Sequence, residues 1–176
     1  MNNKMYNPRF WAVTGMILLA AFLRIMPHLP NFTPVAAMAL FGGAYFSNKK
    51  IAFAVPIAAM VISDAILGFH STMWAVYLSF VLMVLIGFRL RESRKVKDIF
   101  LAALSSSIIF FIITNFAVWT SGLMYPMNTA GLVECYTAAI PFFRYSVLGD
   151  LFFSGVFFGL FELAQSKLPA LAEVKA

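Results

Sequence analysis

Two aspartates, Asp64 and Asp150, interrupt long apolar runs of this chain. An ionisable group in such a run is costly and ordinarily faces a bundle interior or a cavity. Two roles fit them: the polar floor of a ligand pocket, or ion pairs with Arg24 and Arg144 that lock helices together. The only histidines, His28 and His70, stand just outside apolar runs. They could hold a haem between them, or join Glu134 or Cys135 around a metal. No His-x3-His or paired-cysteine spacing accompanies them, so no metal or cofactor is expected. Cys135 is the single cysteine, which excludes an internal disulfide. It could ligate a soft metal centre, but an isolated cysteine is more often a small packed residue.

Ser63, Asp64 and His70 invite comparison with a hydrolase triad. Ser63 and His70 are seven residues apart, about 10 Å along a helix, beyond hydrogen-bond reach. No Gly-x-Ser-x-Gly elbow is present. No phosphate-cradling Gly-rich loop occurs either, so the chain carries no ATPase motif. A non-enzymatic role is expected.

The elements that must position these residues follow from composition. Of 176 residues, 62% are hydrophobic and 11% charged. Soluble domains average about 45–50% apolar and about 25% charged, so a fold this small could not bury such a surface in water. The chain reads as a single integral membrane domain over 1–176. Its fold class is all-α and polytopic, a bundle of six transmembrane helices at about 10–26, 32–46, 51–69, 73–90, 99–119 and 145–165. The second is short, with Thr33 placed to cap it and Pro34 at its first position. A further short helix is expected at 131–143, lying in the interface or over a cavity.

The net charge of +6 reports orientation rather than nucleic acid. Alternate loops collect Lys4, Arg9, Lys49, Lys50, Arg89, Arg91, Arg94, Lys95, Lys97, Lys167 and Lys175 on one side. Only Arg24 and Arg144 fall on the other. By the positive-inside rule both termini are cytoplasmic, in the cell inner membrane. The cluster at 89–97 is expected to set topology at anionic headgroups, or to dock a cytoplasmic partner.

The unusual side chains then gather toward the outer face. The expected pocket comprises His28, Asn31, Asp64, His70, Asn115, Trp119, Tyr136 and Asp150, with Arg24 and Arg144 as charge partners. Asn115 could instead bond across helices, and Trp119 could serve as an interfacial anchor. Ala39 with Gly43, and Gly155 with Gly159, form small-xxx-small pairs that suit close helix packing.

Several stretches occur together: Pro30-Asn-Phe-Thr-Pro-Val-Ala-Ala-Met-Ala-Leu-Phe-Gly-Gly-Ala-Tyr-Phe46, Ser63-Asp64 with Gly68-Phe-His70, and Thr114-Asn-Phe-Ala-Val-Trp119. Gly131-Leu-Val-Glu-Cys-Tyr with Ala139-Ile-Pro-Phe-Phe143 completes the set. The chain resembles an uncharacterised family of six-span bacterial membrane proteins. That family is itself similar to the substrate-binding S components of energy-coupling-factor (ECF) vitamin transporters. The resemblance implies a six-helix bundle with a vitamin-sized pocket open to the outside and gated by outer loops. It also implies a membrane-embedded coupling subunit with ATPases as partner, and a small molecule as ligand. The alternative is a non-transporting subunit of a larger complex, structural or haem-holding.

Overall fold

The computed structural model describes residues 7–172. Lys4 and Lys175, which contribute to the charge asymmetry, lie outside them. Six α-helices and a terminal 3-10 turn make up the described chain, with no strand among those residues: α1 Pro8–Ile25, α2 Val35–Tyr45, α3 Lys49–Leu67, α4 Met73–Arg89, α5 Val96–Thr120, α6 Thr129–Lys167 and the turn Pro169–Leu171. Local chemistry sets several starts. Asn7, Asn48 and Asn128 each accept from backbone amides of the first turn of α1, α3 and α6. Gly68 ends α3 at φ 100, a left-handed conformation that favours glycine.

Four helices, α1, α3, α5 and α6, are long and apolar enough to cross a membrane. α4 has 17 residues, and α2 only 11. A helix of that length rises about 16 Å, roughly half the hydrocarbon thickness. α2 is nonetheless the centre of the bundle. All its residues are buried, and it packs against α1, α3, α4, α5 and α6.

In lipid, helices gain little from apolar burial itself, so close van der Waals packing carries their association. α2 provides it twice. Phe41 contacts the rings of Tyr45, Phe157, Phe158 and Phe161 at 4.6–6.1 Å. Gly43 meets Gly87 of α4 so closely that a Cβ on Gly43 would collide with the Val84 carbonyl and lie 2.9 Å from Gly87 Cα. The Ala39/Gly43 face is thus a packing face. Gly155 and Gly159 differ: nothing lies within 4 Å of a Cβ at either, so that pair points away from the bundle.

Two expected boundaries are corrected. Thr33 does not cap α2; Pro34 takes the cap position, with no side-chain cap bond, and the helix begins at Val35. The expected short helix at 131–143 and the span at 145–165 are one 39-residue helix with Pro141 inside it. Pro141 removes one amide donor, a loss that packed membrane helices tolerate. Ring contacts of Phe111 with Tyr136 (5.5 Å) and Phe143 (4.6 Å) hold α6 on α5 at both sides of it.

Candidate functional site

Both ends of the buried α2 meet charged side chains, one from α6 and the others from the α4–α5 connection. A helix leaves unpaired amides at its start and unpaired carbonyls at its end, and these carry about half a unit of charge each. At the start, the Ala36 backbone amide faces Asp150 of α6, which accepts from Ser107 Oγ of α5 at 2.6 Å. Asp150 is 7% exposed. Gly149 makes this approach possible, because a Cβ there would lie 3.1 Å from Phe32 Cα and Thr33 N. Phe32 in turn stacks on Phe152 and Phe153.

At the other end of α2, Arg91 donates to the carbonyls of Gly43 (2.8 Å), Phe46 (2.5 Å) and Ser47 (3.4 Å). Arg94 reaches Ala44 O at 3.5 Å and lies over the Tyr45 ring at 4.7 Å. Tyr45 donates to Glu162 Oε1 at 2.5 Å. Two arginines of the 89–97 cluster therefore serve the fold, while Lys49, Lys50, Arg89, Lys95 and Lys97 stay exposed.

A cavity of about 220 Å³ opens above the start of α2. Arg24 of α1, Asn31 and Thr33 of the following loop, and His70 line one part of it. Val76 and Met83 of α4, Phe110 of α5, and Ser146 and Asp150 of α6 line another, with Val35 and Ala36 of α2 beneath. Asn31 has φ 61, a left-handed conformation in the loop that brings it there. A broader depression of about 620 Å³ along Thr129, Val133 and Thr137 is lined by α6 alone and gathers no converging charge.

Four of the expected pocket and charge-partner residues, Arg24, Asn31, His70 and Asp150, therefore meet in one cavity. Asp64 stands behind it. Arg24 Nη2 lies 2.5 Å from Asp64 Oδ1, Arg24 Nη1 donates to Ser63 Oγ at 2.5 Å, and Tyr77 donates to Asp64 Oδ2 at 2.7 Å. Asp64 holds a wall residue and does not itself line the cavity. Ser63 donates to Met60 O and His70 contacts Thr72, so the triad-like trio is not assembled.

The other expected residues lie elsewhere. Asn115 donates to Phe111 O of its own helix, and Cys135 donates to Asn115 O at 3.4 Å. Tyr136 donates to Ile112 O at 2.6 Å and Trp119 to Pro126 O at 3.1 Å. Cys135, Tyr136 and Trp119 thus tie the α5–α6 hairpin together, while the Asn115 side chain stays on its own helix. His28 faces backbone carbonyls of Arg24 and Leu29, outside the cavity. Arg144 bonds Tyr145 OH and pairs with neither aspartate. It is six residues from Asp150, on a different face and about 9 Å along the helix. Among the described residues, no three His, Cys, Asp or Glu side chains converge as a metal shell.

Sequence reasoning passed over Ser107 and Ser146. Three consecutive serines at 105–107, in the middle of an apolar span, were the available signal for the first. Ser146 carried no such mark.

Residues 4–171 match the model of a family of unknown function, DUF6580, and the chain belongs to that family. No curated protein and no solved structure matches it.

Proposed function

We propose that this member of the family is a substrate-binding membrane subunit, similar to ECF S components, that captures a small vitamin-like molecule from the outer face. The observation that carries the reading is the cavity over α2, where the buried carboxyl of Asp150 meets Arg24, Asn31 and His70. An ionisable residue at membrane depth that borders a cavity marks a ligand or ion path by default. Concave sites with an apolar wall and a few converging polar groups are where small ligands bind.

In this reading the chain crosses the inner membrane six times, the short α2 completing its pass together with the loop before it, and both termini are cytoplasmic, as the segregation of basic residues supports. The basic end of α2 then lies at the cytoplasmic rim, and its other end near mid-bilayer. A helix that stops halfway across, with its start beneath a polar cavity, is a recurrent arrangement for transporter sites. α4 spans with modest local thinning of the bilayer. A transmembrane coupling subunit with ATPases supplies the energy that this chain has no motif to harvest.

Purification of the tagged full chain from membranes of its host in mild detergent tests the assembly. Recovery of an ATPase pair with a polytopic partner is the expected result. Constant companions without an ATPase, and no retained small molecule, would instead make the chain a structural subunit.

A further inference from the structure

The charges around the cavity do not cancel, and their imbalance specifies a ligand class. Arg24 is neutralised by Asp64 at 2.5 Å, with Tyr77 on the second oxygen of the carboxylate. That leaves Asp150, which has no ion pair among the described residues; its partners are Ser107 and the Ala36 amide. The start of α2 offers it roughly half a unit of positive charge, and with Asp150 ionised a net negative potential remains. An anionic ligand would meet that potential at close range in a medium of low dielectric, and is excluded. A cation would complete it.

The wall chemistry narrows the class further. Among the cavity's lining residues Asn31, Thr33, Ser146 and Asp150 carry side-chain oxygens, Arg24 is already held by Asp64, and Met83 and Phe110 supply apolar surface. A primary ammonium has three donors and no acceptor, which matches such a set. The volume of about 220 Å³ equals about seven waters and lies below the roughly 300 Å³ at which drug-sized pockets begin. We infer that the cavity takes a small aliphatic primary ammonium, its nitrogen at Asp150 and its carbon chain against Met83 and Phe110. This inference rests on the cavity being a ligand site.

A charge series of one size tests it: n-butylammonium, n-butanol and butyrate, each at about 10 mM, added to the detergent-solubilised full chain while thermal unfolding is followed. At ten times the dissociation constant the ammonium should raise the midpoint by about 3 °C, with the alcohol and the carboxylate far behind. Asp150→Asn should lose that shift. Ser146→Ala, which leaves the α2 cap intact, should weaken ammonium binding severalfold. Equal or greater stabilisation by butyrate or butanol, or none by the ammonium, overturns the inference. Native mass spectra of the same sample separate the two levels. A retained molecule without basic nitrogen overturns the ligand class and leaves the pocket standing. No retained molecule and no probe effect overturns both.

Discussion

Ser107 Oγ donates to Asp150 Oδ2 at 2.6 Å, joining α5 to α6 at the depth where α2 begins. The same carboxyl meets the Ala36 amide, so one acidic side chain fastens three helices and borders the cavity. α2 has no side-chain cap of its own and is buried throughout. Asp150 supplies that cap from another helix.

Asp150→Ala should therefore destabilise the bundle by about 2 kcal/mol, since it removes the cap at the start of α2 and leaves the Ser107 hydroxyl only its 3.2 Å bond to Ala103 O. Asp150→Asn keeps an acceptor oxygen and should cost about 1 kcal/mol. Unfolding titrations in mixed micelles measure both. An alanine variant as stable as the parent would remove the capping role.

Arg24 and Asp64 form a largely buried pair, and removing either partner strands the other. Arg24→Ala and Asp64→Asn should each cost about 3 kcal/mol. The double variant should cost much less than the sum, because no lone charge remains. Additive losses would show that the two do not act as a unit.

Gly43→Ala and Gly87→Ala should each destabilise by more than about 2 kcal/mol, because a Cβ has no room where α2 crosses α4. Gly155→Ala and Gly159→Ala should stay within about 0.5 kcal/mol. Recovery of monodisperse protein and its unfolding midpoint read the contrast. A costly change at Gly155 would mean that its face is covered by something besides lipid.

Arg91→Ala removes the guanidinium from three carbonyls at the end of α2 and should cost about 1–2 kcal/mol. Arg91→Lys keeps the charge but not the planar fork, and should recover only part of it. Lys97→Ala, an exposed member of the same cluster, should be neutral in stability. Equal losses at Arg91 and Lys97 would return the whole cluster to a surface role.

Orientation is testable with single cysteines introduced on a Cys135→Ala background. Leu123→Cys, in the exposed α5–α6 connection, should react with a membrane-impermeant maleimide on intact cells. Glu92→Cys, beside the basic cluster, should react only after permeabilisation. The reverse pattern would invert the proposed topology.

Length and apolarity made α1, α3, α4 and α5 legible in the sequence, since polar connections, with Asn caps at α1 and α3, interrupt the runs. α2 was legible as a short apolar segment but not as the centre of the bundle, because burial on all sides leaves no amphipathic stripe to read. Its start was misplaced because Thr33 has the chemistry of a cap, whereas the cap comes from Asp150 more than a hundred residues away. Arg144, counted to an outer loop, divided α6 into two segments, whereas packing against Phe111 on both sides of Pro141 keeps it one helix. Among the candidate site residues, Asp150, His70, Asn31 and Arg24 were found by polarity in an apolar context. Asn115, Trp119 and Tyr136 satisfied the same criterion, yet Trp119 and Tyr136 serve the α5–α6 hairpin and Asn115 bonds within its own helix. Polarity and depth alone do not say which face of a helix a residue occupies when the moment is weak.

In the proposed function the cavity over α2 holds a small molecule. Native mass spectrometry of the gently purified full chain, with an absorption spectrum of the same sample, tests it most directly. A reproducible added mass that His70→Ala or Asp150→Asn removes, without a chromophore band, is the predicted result. A Soret band would make the chain a haem-holding subunit. A bare apo mass in every preparation, unchanged by either substitution, would contradict the claim.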